Sequence, residues 1–114
     1  MIIEVNEKVH VMYRTLYEKS VRRHFIGSVV RVKNSLCRIE GYVFIYDDRK
    51  FEFIKKPEIR TTIIDSGESG YIVNIINSDT VLEDVRYTYT SEKGLIATDN
   101  KEFSLNINEF SNKS

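Results

Sequence analysis

From about Phe25 to Ile107, apolar and polar residues alternate with a period of two, and this constrains the fold more than any other feature. Such a period places successive side chains on opposite faces of an extended chain, so each segment reads as a half-buried β-strand. In FIGSVVRVK, Ile26, Val30 and Val32 are expected to point one way and Arg31 and Lys33 the other. Asn34-Ser35 supplies a turn. CRIEGYVFIY then sets Cys37, Ile39, Val43 and Ile45 inward, with Arg38, Glu40, Tyr42, Phe44 and Tyr46 on the opposite face. Gly41 within that strand marks a bulge or sharp bend, because it packs no side chain and tolerates unusual backbone angles.

Asp47 to Lys50 has turn composition and leads into KFEFIKK, where Pro57 limits strand pairing and makes Lys55 to Glu58 an edge, a bulge or a change of direction. IRTTIID resumes as a strand, and SGESG reads as a hairpin loop into YIVNIIN. DTVLEDV fits a short helical turn capped by Asp79. VRYTYT, LIAT and FSLNIN, separated by the turns SEKG and DNK, form a terminal meander, with Phe103, Leu105 and Ile107 inward against Ser104, Asn106 and Asn108. Seven or eight short strands at even spacing imply an antiparallel barrel or sandwich.

Ahead of this run the period is ambiguous. Val9, Met12, Tyr13, Leu16, Tyr17, Ser20 and Val21 fall at helical spacings, whereas Val9, Val11, Tyr13, Thr15 and Tyr17 alternate as a strand would. Leu16 favours the helix, so the expectation is one N-terminal helix.

At 114 residues and 41% apolar, one domain over residues 1–110 is expected, with 111–114 a loose end; a chain of this size buries roughly two-thirds of its unfolded surface. The opening MIIEVNEKVHV has acids where a secretory signal needs an apolar run, and no span approaches the roughly 18 apolar residues of a membrane helix. A single cysteine allows neither an internal disulfide nor a cysteine-based zinc site within one chain. These features point to the cytoplasm and to no membrane partner. Residues 1–60 carry 13 Lys and Arg against 8 Asp and Glu, and residues 61–114 carry 4 against 9. The halves are therefore +5 and −5, an asymmetry that suits a polyanion or a second copy of the chain if folding keeps the halves apart.

Catalytic chemistry finds little footing. Cys37 with His24 is the one Cys/His combination, but Cys37 falls on an apolar strand face where a thiol acts as a small hydrophobe. His24 follows two arginines and reads as a surface residue at a strand entry. Asp47-Asp48 and Glu83-Asp84 are adjacent pairs that point apart, whereas acid/base catalysis needs converging carboxylates. Two separated histidines declare no metal site, and Asp65 to Gly70 lacks the Lys-Ser/Thr pair of a phosphate-binding loop. The chain is expected not to be an enzyme and to need no cofactor. Single-stranded nucleic acids, by contrast, are held by cations along the phosphates and by aromatic faces under the bases. Arg38, Tyr42, Arg49, Lys50, Phe51, Phe53, Lys55, Lys56 and Arg60 offer both within one stretch. Alternation divides them between faces, with Tyr42 beside Arg38 and Glu40, and Phe51 and Phe53 beside Lys55, so an aromatic layer buried by a helix or a second subunit fits them as well.

The order of elements over residues 10–78 resembles that of Sm-like proteins: a helix, FIGSVVRVKN, a glycine-bent strand in CRIEGYVFIYDD, a long third strand, and a short apolar strand after a glycine loop in SGYIVNII. The resemblance implies a small, strongly bent antiparallel barrel, here mainly β with one N-terminal helix and a C-terminal β-meander extension, together with ring assembly through sheet edges and single-stranded RNA binding. Asp47-Asp48 stands where the family carries an aspartate, but its following asparagine and the Arg-Gly pair of its fourth strand have no counterpart, YIVNIIN offering Asn74-Ile75. The expected function is a binding or assembly module that self-associates through sheet edges, with single-stranded RNA or DNA binding by the 38–60 hairpin as the alternative and a small-ligand barrel as a further one.

Overall fold

A computed structural model describes residues 2–13, 22–68 and 70–107. The chain divides into two compact units, Met1–Ser78 and Asp79–Ser114. All the regular structure described is β apart from one 3-10 turn. The alternation therefore yields a mainly β protein.

The first unit is a six-stranded antiparallel sheet built from β1 (Lys8–Tyr13), β2 (Arg23–Lys33), β3 (Leu36–Asp47), β4 (Glu52–Lys55), β5 (Arg60–Asp65) and β6 (Tyr71–Ile76). Its order is β6-β1-β2-β3, and the far edge of β3 is shared by β5, along Leu36–Gly41, and β4, along Phe44–Asp47. Lys8–Tyr13 is a strand, against the expected helix. It lies between β2 and β6, so its backbone is satisfied on both sides by ladders and Val9 and Val11 are buried by sheet packing, a tertiary context that overrides an equivocal local period. The rest of that helix expectation, residues 14–21, lies outside the described residues.

Direct cross-strand partners share a face, which sorts the sheet into two layers. Val9, Val11, Phe25, Val29, Cys37, Ile39, Val43 and Ile64 form one buried cluster on the first face, against which Tyr71 and Val73 pack. Because that cluster joins side chains of β5 and β6, which sit at opposite ends of the strand order, the first face is concave. Yet β5 and β6 form no ladder with each other among the described residues. The sheet is a curled ribbon with an open seam rather than a closed barrel, and SGESG links two strands that pair elsewhere instead of closing a hairpin.

Strand β3 follows the expected phase, with Cys37, Ile39 and Val43 inward. Strand β2 does not. Val29 faces Ile39 and Arg31 faces Arg38, so Val30 is an extra residue, and it is 46% exposed. The bulge reverses the phase: Phe25 and Val29 point into the first face before it and Val32 after it, which places Ile26 on the second face. Asn6 donates to the Val29 carbonyl and Val29 to the Glu7 carbonyl, both at 2.8 Å, so the N-terminal segment satisfies the backbone beside the irregularity.

Gly41 lies opposite Gly27 in an unbroken register rather than in a bulge. A Cβ on Gly41 would overlap the Ile26 carbonyl oxygen and the Gly27 Cα. The glycine is required by this close approach of two backbones. Beyond it, β3 exchanges β5 for β4 as its partner. Both run antiparallel to β3, so β4 and β5 are two collinear parts of one edge, with four residues, Lys56 to Ile59, spanning the two of β3 left between the ladders. Pro57 sits in that offset, and Lys56 N–H still bonds the Val43 carbonyl at 2.9 Å.

The second unit is a meander of β7 (Arg86–Thr90), β8 (Gly94–Thr98) and β9 (Ser104–Asn106). Its central strand buries Leu95, Ile96, Ala97 and Thr98 in succession, and Phe103 and Ile107 are buried beside exposed Ser104 and Asn106. The Thr98 hydroxyl donates to the Phe103 carbonyl at 2.7 Å, and the Asp99 carboxylate accepts from Lys101 N–H at 2.8 Å and Phe103 N–H at 3.2 Å, which fixes the DNK turn. Leu82–Asp84 forms the 3-10 turn, but its N-cap is Val81 and no side chain caps it. Asp79 lies too early in the chain for the capping expected of it. The charge asymmetry follows the division of the chain: Met1–Ser78 holds 13 Lys and Arg against 10 Asp and Glu, and Asp79–Ser114 holds 4 against 7, leaving +3 and −3.

Candidate functional site: the second face and open edges of the curled sheet

The register between β3 and β4 decides the face question. Phe44 lies opposite Lys55 and Tyr46 opposite Phe53, so Phe53 stands on the surface of Tyr42, Phe44 and Tyr46, from which alternation separates it. Tyr46 and Phe53 meet edge to face at 5.2 Å. The guanidinium of Arg22 stands 4.1 Å from the Tyr46 ring centre, and the ammonium of Lys55 stands 4.6 Å from that of Tyr42. His24 stacks on Phe53 at 4.7 Å and meets His10 edge-on at 5.6 Å. Each such cation or ring occupies an aromatic face that a stacked base would need. The layer therefore holds itself together chiefly as packing.

His24 is not a surface residue: it and His10 are almost wholly buried, together with Ile26 and Phe44. Burial, reinforced by the neighbouring His24, lowers the His10 pKa to about 3. The signal in the sequence was the phase before the bulge, which aligns His24 with Ile26 and Arg22 rather than with Arg23. Arg22, His10 and His24 are members of this surface that residue type alone did not single out.

The remaining candidates disperse. The Asp47 carboxylate accepts from Arg49 N–H at 2.9 Å, building the expected turn. Arg49, Lys50 and Lys56 border a shallow hollow of about 420 Å³ with Asp47 and Asp48, so its cations face acids. Phe51 is 73% exposed and holds a left-handed backbone with φ of 55°, a conformation uncommon for a bulky side chain. Arg60 lies opposite Gly41, on the first face, 4.0 Å from Glu58. Arg38 lies beyond Gly41, opposite Arg31 and Ile63. The nine residues do not form a single binding surface. Cys37 is fully buried in the core cluster. Among the described residues no three His, Cys, Asp or Glu side chains are grouped to hold a metal ion, and no helix is long and apolar enough to cross a membrane.

What the first unit does present is two sheet edges. On these edge strands Ile63 of β5 is 58% exposed, with Ile59 just before the strand, and in β6 Ile72 and Ile75 are exposed, the latter to 52%. Among the described residues neither outer edge joins a further strand. Comparison with family models, with curated proteins and with solved structures returns no match. Functional assignment therefore rests on this geometry.

Proposed function

We propose that the protein is a non-enzymatic assembly module whose copies join through the open seam, β5 of one chain pairing with β6 of the next. The observation carrying this reading is that both strands offer an unladdered edge with exposed isoleucines. Soluble proteins usually shorten, charge or cover such edges. The β4 end of the same edge is blunted in that manner by Lys55, Lys56 and Pro57, whereas β5 is left open beyond it. Because β5 and β6 are different strands, the contact is heterologous and generates a ring or a filament according to whether the rotation closes. Edge assembly is also what the resemblance to Sm-like barrels implies, and the curled sheet with its glycine pair supports that likeness more than the N-terminal strand does.

Ile63→Lys and Ile75→Lys each place a charge on one of the two edge strands at an exposed position outside the buried cluster. Light scattering should give a multiple of 13.4 kDa for the unmodified chain and a shift toward that mass for each variant. A chain that stays at 13.4 kDa at about 100 µM, where contacts of useful affinity are populated, would refute the reading. Mass gained only on adding an oligonucleotide, and lost with salt and on replacing Arg49, Lys50, Lys55 and Lys56 by Ala, would instead move the function to single-stranded nucleic-acid binding. A barrel-type pocket for a small ligand has less support, since the concave face is filled by apolar side chains.

A further inference from the structure

The bulge at Val30 has a second effect: it turns Arg31 and Lys33 out of the first face and onto the surface that carries Arg38. Arg31 lies directly opposite Arg38, and Lys33 opposite Leu36. These three cations, with Leu36 and Ile63, line a groove of about 230 Å³. Like charges facing each other across an antiparallel pair are destabilising, and among the described residues no ion pair joins Arg31, Lys33 or Arg38 to a carboxylate. Two acidic positions share this face: Glu40, two residues along β3 from Arg38, and Asp65, opposite Leu36. The Asp65 carboxylate is already engaged by Gly67 N–H at 3.0 Å and by the Ser35 side chain, which hold its pKa low. Leu36 and Ile63 are 47% and 58% exposed, so the charges border an apolar floor.

We propose that this groove binds a small phosphorylated ligand, its phosphate held by the Arg31 and Arg38 forks with Lys33 as a third charge, and its apolar part on Leu36 and Ile63. Guanidinium forks match phosphate oxygens in pairs, and an anion between them turns the repulsion into mutual attraction. The volume suits a small molecule rather than a polymer. The site is separate from the β5–β6 contact in chemistry, although Ile63 borders both.

Inorganic tripolyphosphate is the probe. Titration calorimetry at fixed ionic strength should show saturable binding, weakened about tenfold or more by Arg38→Gln or by Arg31→Gln, as loss of one charge-assisted contact requires. Without the anion, each variant should melt higher than the unmodified chain at low salt, because the facing charges are gone. That rise is a readout which a purely structural arginine would reverse. A thermal shift reproduced by sodium chloride at matched ionic strength, unchanged binding by both variants, or response to an oligonucleotide but not to tripolyphosphate would each overturn the proposal.

Discussion

Gly41→Ala is expected to destabilise the first unit by about 3 kcal/mol or more, the upper range for overpacking, and to lower its melting temperature by about 15 °C. The added methyl would meet backbone on the neighbouring strand, the Ile26 carbonyl and Gly27 Cα, rather than the end of a flexible side chain. Backbone inside a ladder cannot give way without opening the β2–β3 register, from which both the core cluster and the Arg31–Arg38 opposition follow. Gly67→Ala is the control. Its Cβ would come no closer than 3.3 Å to Asp65 and Ser35 side-chain atoms at the surface, so its cost should stay below about 1 kcal/mol. Thermal melts of the two variants compare these directly, and equal shifts would mean that the glycine pair does not hold the strands together.

Acid should weaken the protein well before its carboxylates titrate. His10 has its pKa lowered from 6.5 to about 3 in the folded state, so between those values the unfolded chain takes up a proton that the folded one refuses. A depressed histidine thus contributes stability that is complete above about pH 6.5 and lost as pH falls toward 3. For one group the loss is on the order of 4 kcal/mol across that window. Asp65, also lowered, acts separately: its contribution is present above its ordinary value near 3.8 and declines below it. Denaturant melts from pH 7 to 4 should therefore fall steadily, and His10→Leu should flatten that slope whatever it does to stability at pH 7. An unchanged slope in the variant would mean that the histidine is not buried neutral.

How far the fold could be read from the sequence depended on whether a strand was uninterrupted. Strand β3 runs from Leu36 to Asp47 without irregularity, and its inward residues follow from alternation alone. Strand β2 contains one extra residue, and because the side-chain period is two, a single insertion at Val30 exchanges the faces of everything around it. Neither adjoining segment marks the insertion by composition: Val29 and Val30 are identical in type, yet one is buried and the other exposed. The helix expected at the N-terminus failed for a related reason. Val9 and Tyr13 satisfy both periods, and only the presence of β2 and β6 on either side selects the strand for Lys8–Tyr13.

The candidate site was legible by residue type but not by placement. Tyr42 and Phe53 share a face because Asp47 pairs with Glu52 across a turn of four residues, and a turn one residue longer or shorter would have separated them. The open seam was hidden by proximity in sequence: IRTTIID and YIVNIIN flank a glycine loop and look like a hairpin, but each finds its partner elsewhere. In the terminal meander the neighbours in sequence are also neighbours in the sheet, and there Phe103 and Ile107 were placed inward by alternation alone.

The measurement that bears most directly on assembly is hydrogen exchange of the backbone amides in Arg60–Asp65 and Tyr71–Ile76 over a range of protein concentrations. Those directed away from β3 and β1 should exchange quickly in dilute solution and become protected together, in both strands, as concentration rises. Fast exchange of both sets at every concentration, or protection already complete in a monomer, would contradict pairing between copies at the seam.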